Sequence, residues 1–225
     1  VIITFLGTGT SQGVPVIACT CEVCTSTDKR DNRLRSSILI ESDGKVIVVD
    51  TGPDFRYQML RAKVMHLDAV VFTHEHKDHI AGLDDVRAFN YKQQAAMDVY
   101  ATEQVQVALK REFYYIFSDF KYPGIPQVNL HTINKDHPFN IGHVKLTPIE
   151  VLHYKLPVLG FRVEGFTYIT DAKTINNTEK EKIKGSKILV VNALQRQSHI
   201  SHFTFDEAIA FAKEIGAEHT YFTHI

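Results

Sequence analysis

The chain has 225 residues, 44% of them hydrophobic, which is enough for a sizeable core in one globular domain spanning 1–225. With 25 Lys and Arg against 26 Asp and Glu the formal net charge is −1, so there is no global basic footprint for nucleic acid, and binding to it is not expected. No apolar run approaches the roughly 20 residues that span a bilayer, no signal-peptide pattern opens the chain, and three cysteines confined to six positions argue against a disulfide framework, so a cytoplasmic protein without a membrane span is expected. In chain order, alternating and short apolar runs predict strands near 1–6, 36–41 and 45–49, a helix over 54–64 and a strand over 68–73. A helical pattern over 82–93, a strand over 97–101 and a helix over 102–117 follow, and Pro123-Gly124-Ile125-Pro126 reads as a loop. Strands near 143–149, 158–164, 166–170, 187–191 and 219–223 complete the pattern, with a helix over 205–215. That helix is the best marked: Thr204 and Glu207 form a capping-box pattern, Ala208, Phe211 and Ile215 an apolar stripe, and Gly216 a stop. No repeat or composition break marks a second domain. Alternation of elements alone is compatible with a doubly wound sheet.

His74-Glu75-His76-Lys77-Asp78-His79 follows the apolar strand Asp68-Ala-Val-Val-Phe-Thr73. Three imidazoles and a carboxylate within six residues are poor core material and suit zinc, manganese or iron. In an extended segment His74, His76 and Asp78 point the same way, and a turn at Asp78-His79 brings His79 round from the other side. That geometry suggests two metals, one held by His74 and His76 and the other by Asp78 and His79.

Cys19-Thr-Cys21-Glu-Val-Cys24 can close three thiolates around one structural zinc, within a polar, Cys-rich loop at 18–31 that offers little core to bury thiols in. Leu6-Gly-Thr-Gly-Thr-Ser-Gln-Gly13 lacks the Gly-Lys-Ser/Thr ending of a P-loop and reads as a turn that lets backbone approach a site. Arg87 and Asn90 read as ordinary helix residues, and His131, His137 and His143 as surface residues in a loop-and-strand region.

The His74–His79 run resembles the signature of the metallo-β-lactamase superfamily, and nearly the whole chain supports the match. His153 in Pro148-Ile-Glu-Val-Leu-His153, Asp171 in Phe166-Thr-Tyr-Ile-Thr-Asp171 and His224 in Thr220-Tyr-Phe-Thr-His224 match the superfamily's remaining ligand motifs, each after a short β-rich run. Asp50 in Val46-Ile-Val-Val-Asp50-Thr-Gly-Pro matches its first motif, where the residue holds the metal loop rather than ligating. The opening Leu6–Ser11 followed by the C-x-C-x-x-C loop is similar to the branch that contains phosphoribosyl cyclic phosphate phosphodiesterases and ribonuclease Z. That branch completes its zinc loop with a histidine three residues beyond its last active-site histidine; within this chain His66 and His219 are the alternatives.

The resemblance implies an αββα sandwich of two mixed β-sheets flanked by helices. It also implies two divalent ions (Mn or Zn), with Asp171 bridging, His74, His76 and His153 completing one, and Asp78, His79 and His224 the other. Hydroxide formed on the ions attacks a small cyclic phosphodiester, and a histidine before the last helix protonates the departing alkoxide. Of the two in Ser198-His199-Ile-Ser-His202, His202 adjoins the helix cap and is the expected acid, while His199 reads as a solvated loop residue. The implied partner is a small-molecule phosphodiester, and a homodimer is compatible with the reading. A ribonuclease Z-like transfer-RNA nuclease is the alternative enzyme, and a non-catalytic metal-binding member of the fold the alternative from another class.

Overall fold

In a computed structural model, residues 1–120 and 122–225 are described. They form two compact units, Val1–Gly7 with Leu34–Asn134, and Thr8–Arg33 with Lys135–Ile225. Each unit is built on one six-stranded mixed sheet whose strand order follows the chain.

In the first unit, β1 (Ile2–Gly7), β2 (Ser37–Ser42) and β3 (Lys45–Val49) make an antiparallel meander. Asp43 and Gly44 join β2 to β3 with φ of 47° and 70°, the left-handed pair that a two-residue hairpin turn requires. Three crossovers then add parallel strands. Helix α1 (Phe55–Arg61) leads to β4 (Ala69–Val71), and the turn α2 (Lys77–Ile80) and helix α3 (Arg87–Gln93) lead to β5 (Met97–Ala101). Helix α4 (Glu103–Glu112) and the short α5 (Tyr114–Phe117) lead to β6 (Val128–Thr132). Ile47–Val49 and Ala69–Val71 are buried throughout, as unbroken apolar runs in the parallel part of a sheet should be. Phe55 and Met59, four apart on α1, and Val105, Ala108 and Leu109 on α4 turn their apolar stripes into the unit's interior.

The second unit runs antiparallel through β7 (Phe139–Ile141), β8 (Val144–His153), β9 (Leu156–Val163) and β10 (Phe166–Ile169). Helix α6 (Asn177–Ile183) then leads to β11 (Ile188–Asn192) and α7 (Phe205–Ile215) to β12 (His219–Thr223), both parallel to β10. Ile149, Val151, Ile169, Leu189 and Val191 pack with Ala208, Phe211 and Ile215 of α7 into this unit's core. The expected capping box at Thr204 and Glu207 is formed, and Gly216 ends α7 at φ 71°.

Among the strands and α-helices, β6, β7, α2 and α6 are not predicted by the patterns above, nor is the 3₁₀ turn at Lys29–Asp31. The helix expected over 82–93 opens as a 3₁₀ turn at Leu83–Val86, and the one expected over 102–117 breaks at Phe113, where φ is −117° and ψ 42°. Among the described residues no helix is long and apolar enough to cross a membrane.

Candidate metal centre

In the first unit the donors gather at the carboxyl ends of β3 and β4, the side of a parallel sheet where sites are usually built. The segment stays extended through His76 (φ −63°, ψ 148°), but Lys77 to Ile80 form a helical turn. Asp78 therefore does not continue the alternation of His74 and His76: it presents its carboxylate from α2, beside His79. The convergence comes from that turn, with ring centroids of His74 and His76 4.6 Å apart, those of His74 and His79 4.2 Å apart, and His79 Nε2 3.2 Å from Asp78 Oδ2.

Asp50 holds this arrangement from beneath. It sits just past β3 with φ 66°, fully buried, and accepts from the Thr73 amide (2.9 Å) and hydroxyl (2.8 Å), with His79 Nδ1 at 2.7 Å. The Thr73 hydroxyl also lies 3.0 Å from His74 Nδ1. Both imidazoles thus have Nδ1 engaged, which turns Nε2 towards a ligating role. Burial pushes the Asp50 carboxyl up, and His79 and Thr73 pull it back. Thr73, at the end of the apolar run, is a positioning residue that sequence reasoning did not single out.

Backbone packing sets the loop's height. A Cβ on Gly52 would lie 2.1 Å from the Asp78 carbonyl oxygen, and one on Gly82 2.3 Å from that of Gly52. The Thr51 amide donates to the His79 carbonyl (2.8 Å) and the Gly82 amide to the Thr51 carbonyl (2.7 Å), a contact only side-chain-free residues allow. Outside the loop, Gln104 donates to Glu75 and Lys77 pairs with Glu112, which fastens the run to α4.

In the second unit the donors surround Asp171. This carboxylate follows β10 at φ 57°, is 2% exposed, and accepts from the Thr170 hydroxyl. His202 Nε2 lies 3.0 Å and His224 Nε2 3.4 Å from Asp171 Oδ1. His153, at the end of β8, has Nδ1 2.9 Å from the Ser201 carbonyl oxygen, which again directs Nε2 towards a ligating role. The His153 and His202 rings are 4.4 Å apart and those of His202 and His224 5.0 Å. His153, Asp171 and His202 each place a ligand atom within 4.8 Å of the others. Expected only as a proton donor, His202 thus stands at coordinating distance. His199 is not the solvated residue expected: it is half-buried, its Nδ1 is 3.1 Å from that of His202, and burial, then His202 and Lys173, hold its pKa down.

Asn192, at the end of β11, clamps the residue after Asp171, accepting from the Ala172 amide (2.7 Å) and donating to its carbonyl (3.0 Å). An asparagine ending the apolar run Ile188-Leu-Val-Val is the signal that could have found it. Imidazole nitrogens crowded with carboxylate oxygen in buried surroundings suit a divalent transition ion, so both donor sets fit the metal chemistry expected of them.

The thiol sulfurs of Cys19, Cys21 and Cys24 also lie within 4.8 Å of one another. The Val16 amide donates to Cys24 Sγ at 3.3 Å, and the Cys24 backbone N–H, with the neighbouring thiols, lowers the Cys21 pKa. Three thiols so gathered fit one tetrahedral zinc short of its fourth ligand. In the first unit His66 is 3.3 Å from Asp68, to which its ring is committed. Arg87 pairs with Asp84 at 3.5 Å, and Asn90 is buried, bonded to Ala95 and Gln127, as ordinary helix residues would be. His131 is half-buried on β6, stacked on Tyr100 and 3.0 Å from Asp98, while His137 and His143 are exposed.

Residues 45–225 match the family described as the beta-lactamase superfamily domain. An octanoyltransferase of Porphyromonas gingivalis is 40% identical over 222 residues, which make up 98% of this chain and 45% of that protein. The chain thus spans under half the length of that relative. Among solved structures, a diphosphatase from the PhnP family is 40% identical with a TM-score of 0.92, covering 99% of this chain and 85% of that one. Zinc-bound PqqB from Methylobacterium extorquens, 21% identical with a TM-score of 0.81, covers 99% and 88%. The fold is that of metallo-β-lactamases, two mixed sheets with helices, as the sequence motifs implied.

Proposed function

This chain belongs to the β-lactamase superfamily, and from that premise we propose that it is a metal-dependent phosphodiesterase acting on a small, cyclic phosphodiester. The observation that carries the reading is the orientation of its imidazoles: Nδ1 of His74, His79 and His153 is engaged by Thr73, Asp50 and the Ser201 carbonyl, so Nε2 is the ring nitrogen that would face a metal. In this reading the metal ligands would be His74, His76, Asp78 and His79 from the first unit and His153, Asp171 and His224 from the second. When bound, such ions acidify water to a pKa of about 7 and stabilise charge on phosphoryl oxygens. His202 holds the proton that the departing alkoxide needs, kept in place by Asp171 at 3.0 Å. Cys19, Cys21 and Cys24 would hold a structural zinc, which favours a reducing, cytoplasmic setting.

The likeness to a PhnP-family diphosphatase supports phosphate-ester chemistry. Octanoyl transfer is not proposed: that name belongs to a protein of which this chain matches 45%, and histidine and carboxylate donors suit hydrolysis rather than acyl transfer. A net charge of −1 supports a small substrate over transfer RNA. The test is hydrolysis of bis(p-nitrophenyl) phosphate with and without chelator, alongside phosphoribosyl cyclic phosphate and precursor transfer RNA. Chelator-sensitive turnover of the first two is expected. Turnover that chelator leaves intact, or cleavage of transfer RNA alone, overturns the reading.

A further inference from the structure

One face of the first unit takes no part in the proposed chemistry. Between α1 and α3 lies a cavity of about 500 Å³. Its floor is apolar and buried, made by Phe55, Met59 and Phe89, and its mouth carries Leu60 and Met65, which are 59% and 66% exposed. The rim is charged unevenly, with Arg56, Lys63 and Lys92 against the single carboxylate of Asp85. Several cations elsewhere in this unit are engaged, such as Arg35 with Asp54 at 3.1 Å, Lys45 with Asp68 at 2.8 Å, and Arg61 with the Leu6 carbonyl. The side chains of Arg56, Lys63 and Lys92 have no ion pair or hydrogen bond among the described residues.

We propose that this cavity is a binding site for a medium-chain acyl anion, its tail on Phe55, Met59 and Phe89 and its carboxylate among Arg56, Lys63 and Lys92. The volume falls within the roughly 300–1,000 Å³ of small-molecule pockets, and the lining combines an apolar body with a few charges in the usual way. Charge decides between occupants. A second copy docked through the same face would set these three cations against their own counterparts, since an isologous contact repeats one patch on both sides. An anion whose tail covers the apolar floor answers both halves of the site.

Isothermal titration of the full chain with decanoate, below its micellar concentration, tests this. Saturable one-to-one binding is expected, with decanol binding more weakly. Arg56→Glu combined with Lys92→Glu should weaken decanoate by about tenfold or more. Ala88→Trp, which places an indole in the cavity from an exposed helical position, should abolish binding while the circular dichroism melt stays that of the parent. Four results overturn the proposal. They are no saturable heat with the parent chain, decanol and decanoate binding equally in parent and charge-reversed chain, a dimer on sedimentation that Leu60→Glu dissolves, and co-sedimentation with phosphatidylglycerol vesicles in place of decanoate binding.

Discussion

Asp50 shows how one buried carboxylate can fix two imidazoles. It receives His79 directly and reaches His74 through the Thr73 hydroxyl, so its removal should disorient both. Asp50→Asn keeps the volume and forfeits the charge-assisted bond to His79. Metal affinity should fall by about 10–100-fold, the usual loss for such partners, while the circular dichroism spectrum is retained. Competition against a chromogenic chelator measures it, and parental affinity would remove Asp50 from the positioning role. His202 poses a sharper question, because 3.0 Å from Asp171 it can donate a proton or ligate. As a proton donor, His202→Ala should keep the parent's metal content, lose about 10²–10⁴-fold on an alkyl ester with a poor leaving group, and lose little on a p-nitrophenyl ester. Loss of one ion per chain, with equal damage to both esters, would make it a ligand. A leaving-group-dependent loss in His199→Ala instead would move the acid by three residues.

The elements that carry these residues depend on close backbone approach. Because a Cβ at Gly52 meets the Asp78 carbonyl, Gly52→Ala must lift α2 away from the turn after β3. Thermal unfolding should show a loss of about 1–3 kcal/mol, as overpacking typically costs, together with reduced metal content. An unchanged melt would show that the turn gives way more easily than the geometry implies. Much of this architecture was legible because it rests on strong local signals: unbroken apolar runs for β3 and β4, and the Thr204–Glu207 cap of α7. The candidate donors stood out because most follow an apolar run, and Asp50, Asp171 and His224 share the left-handed φ that turns a side chain back from a strand end. What stayed hidden has physical reasons. Four residues of α2 are too few and too polar to show a period, so Asp78 read as extended. Strand β6 is only half-buried, with Val128 and Leu130 too weakly alternating to stand out beside the loop before them. Helix α6 did carry a signal, Asn176 capping the Glu179 amide, but its sequence Asn177–Ile183 has one buried apolar residue and no stripe.

Over the whole molecule, charge sets how stability answers to pH. Burial pushes the Asp68 carboxyl up, but the Lys45 ammonium, the Val46 amide and His66 outweigh it and hold the group below its usual range. Glu112, beside Lys77 and Arg111, is lowered as well, and so is Glu207, where Lys173 and Thr204 outweigh burial. A carboxyl with a folded pKa below its unfolded one stabilises the protein above the unfolded value, near about 4, and that contribution is lost as pH falls through the folded value. Asp50 works the other way, since burial raises it and its contribution fades as pH rises, but the lowered carboxyls, Asp28 beside Arg30 included, outnumber it. Net stability should therefore hold near neutrality and fall on the acid side. Asp68 bridges β3 to the segment before β4, with its side chain only 13% exposed, so it is the best single probe of that fall. Asp68→Asn should cost about 1 kcal/mol or more near pH 7 in urea unfolding, and the gap to the parent should close by about pH 3. A gap that stays constant between those two pH values would show that Asp68 stabilises through its shape and hydrogen bonds rather than through its charge.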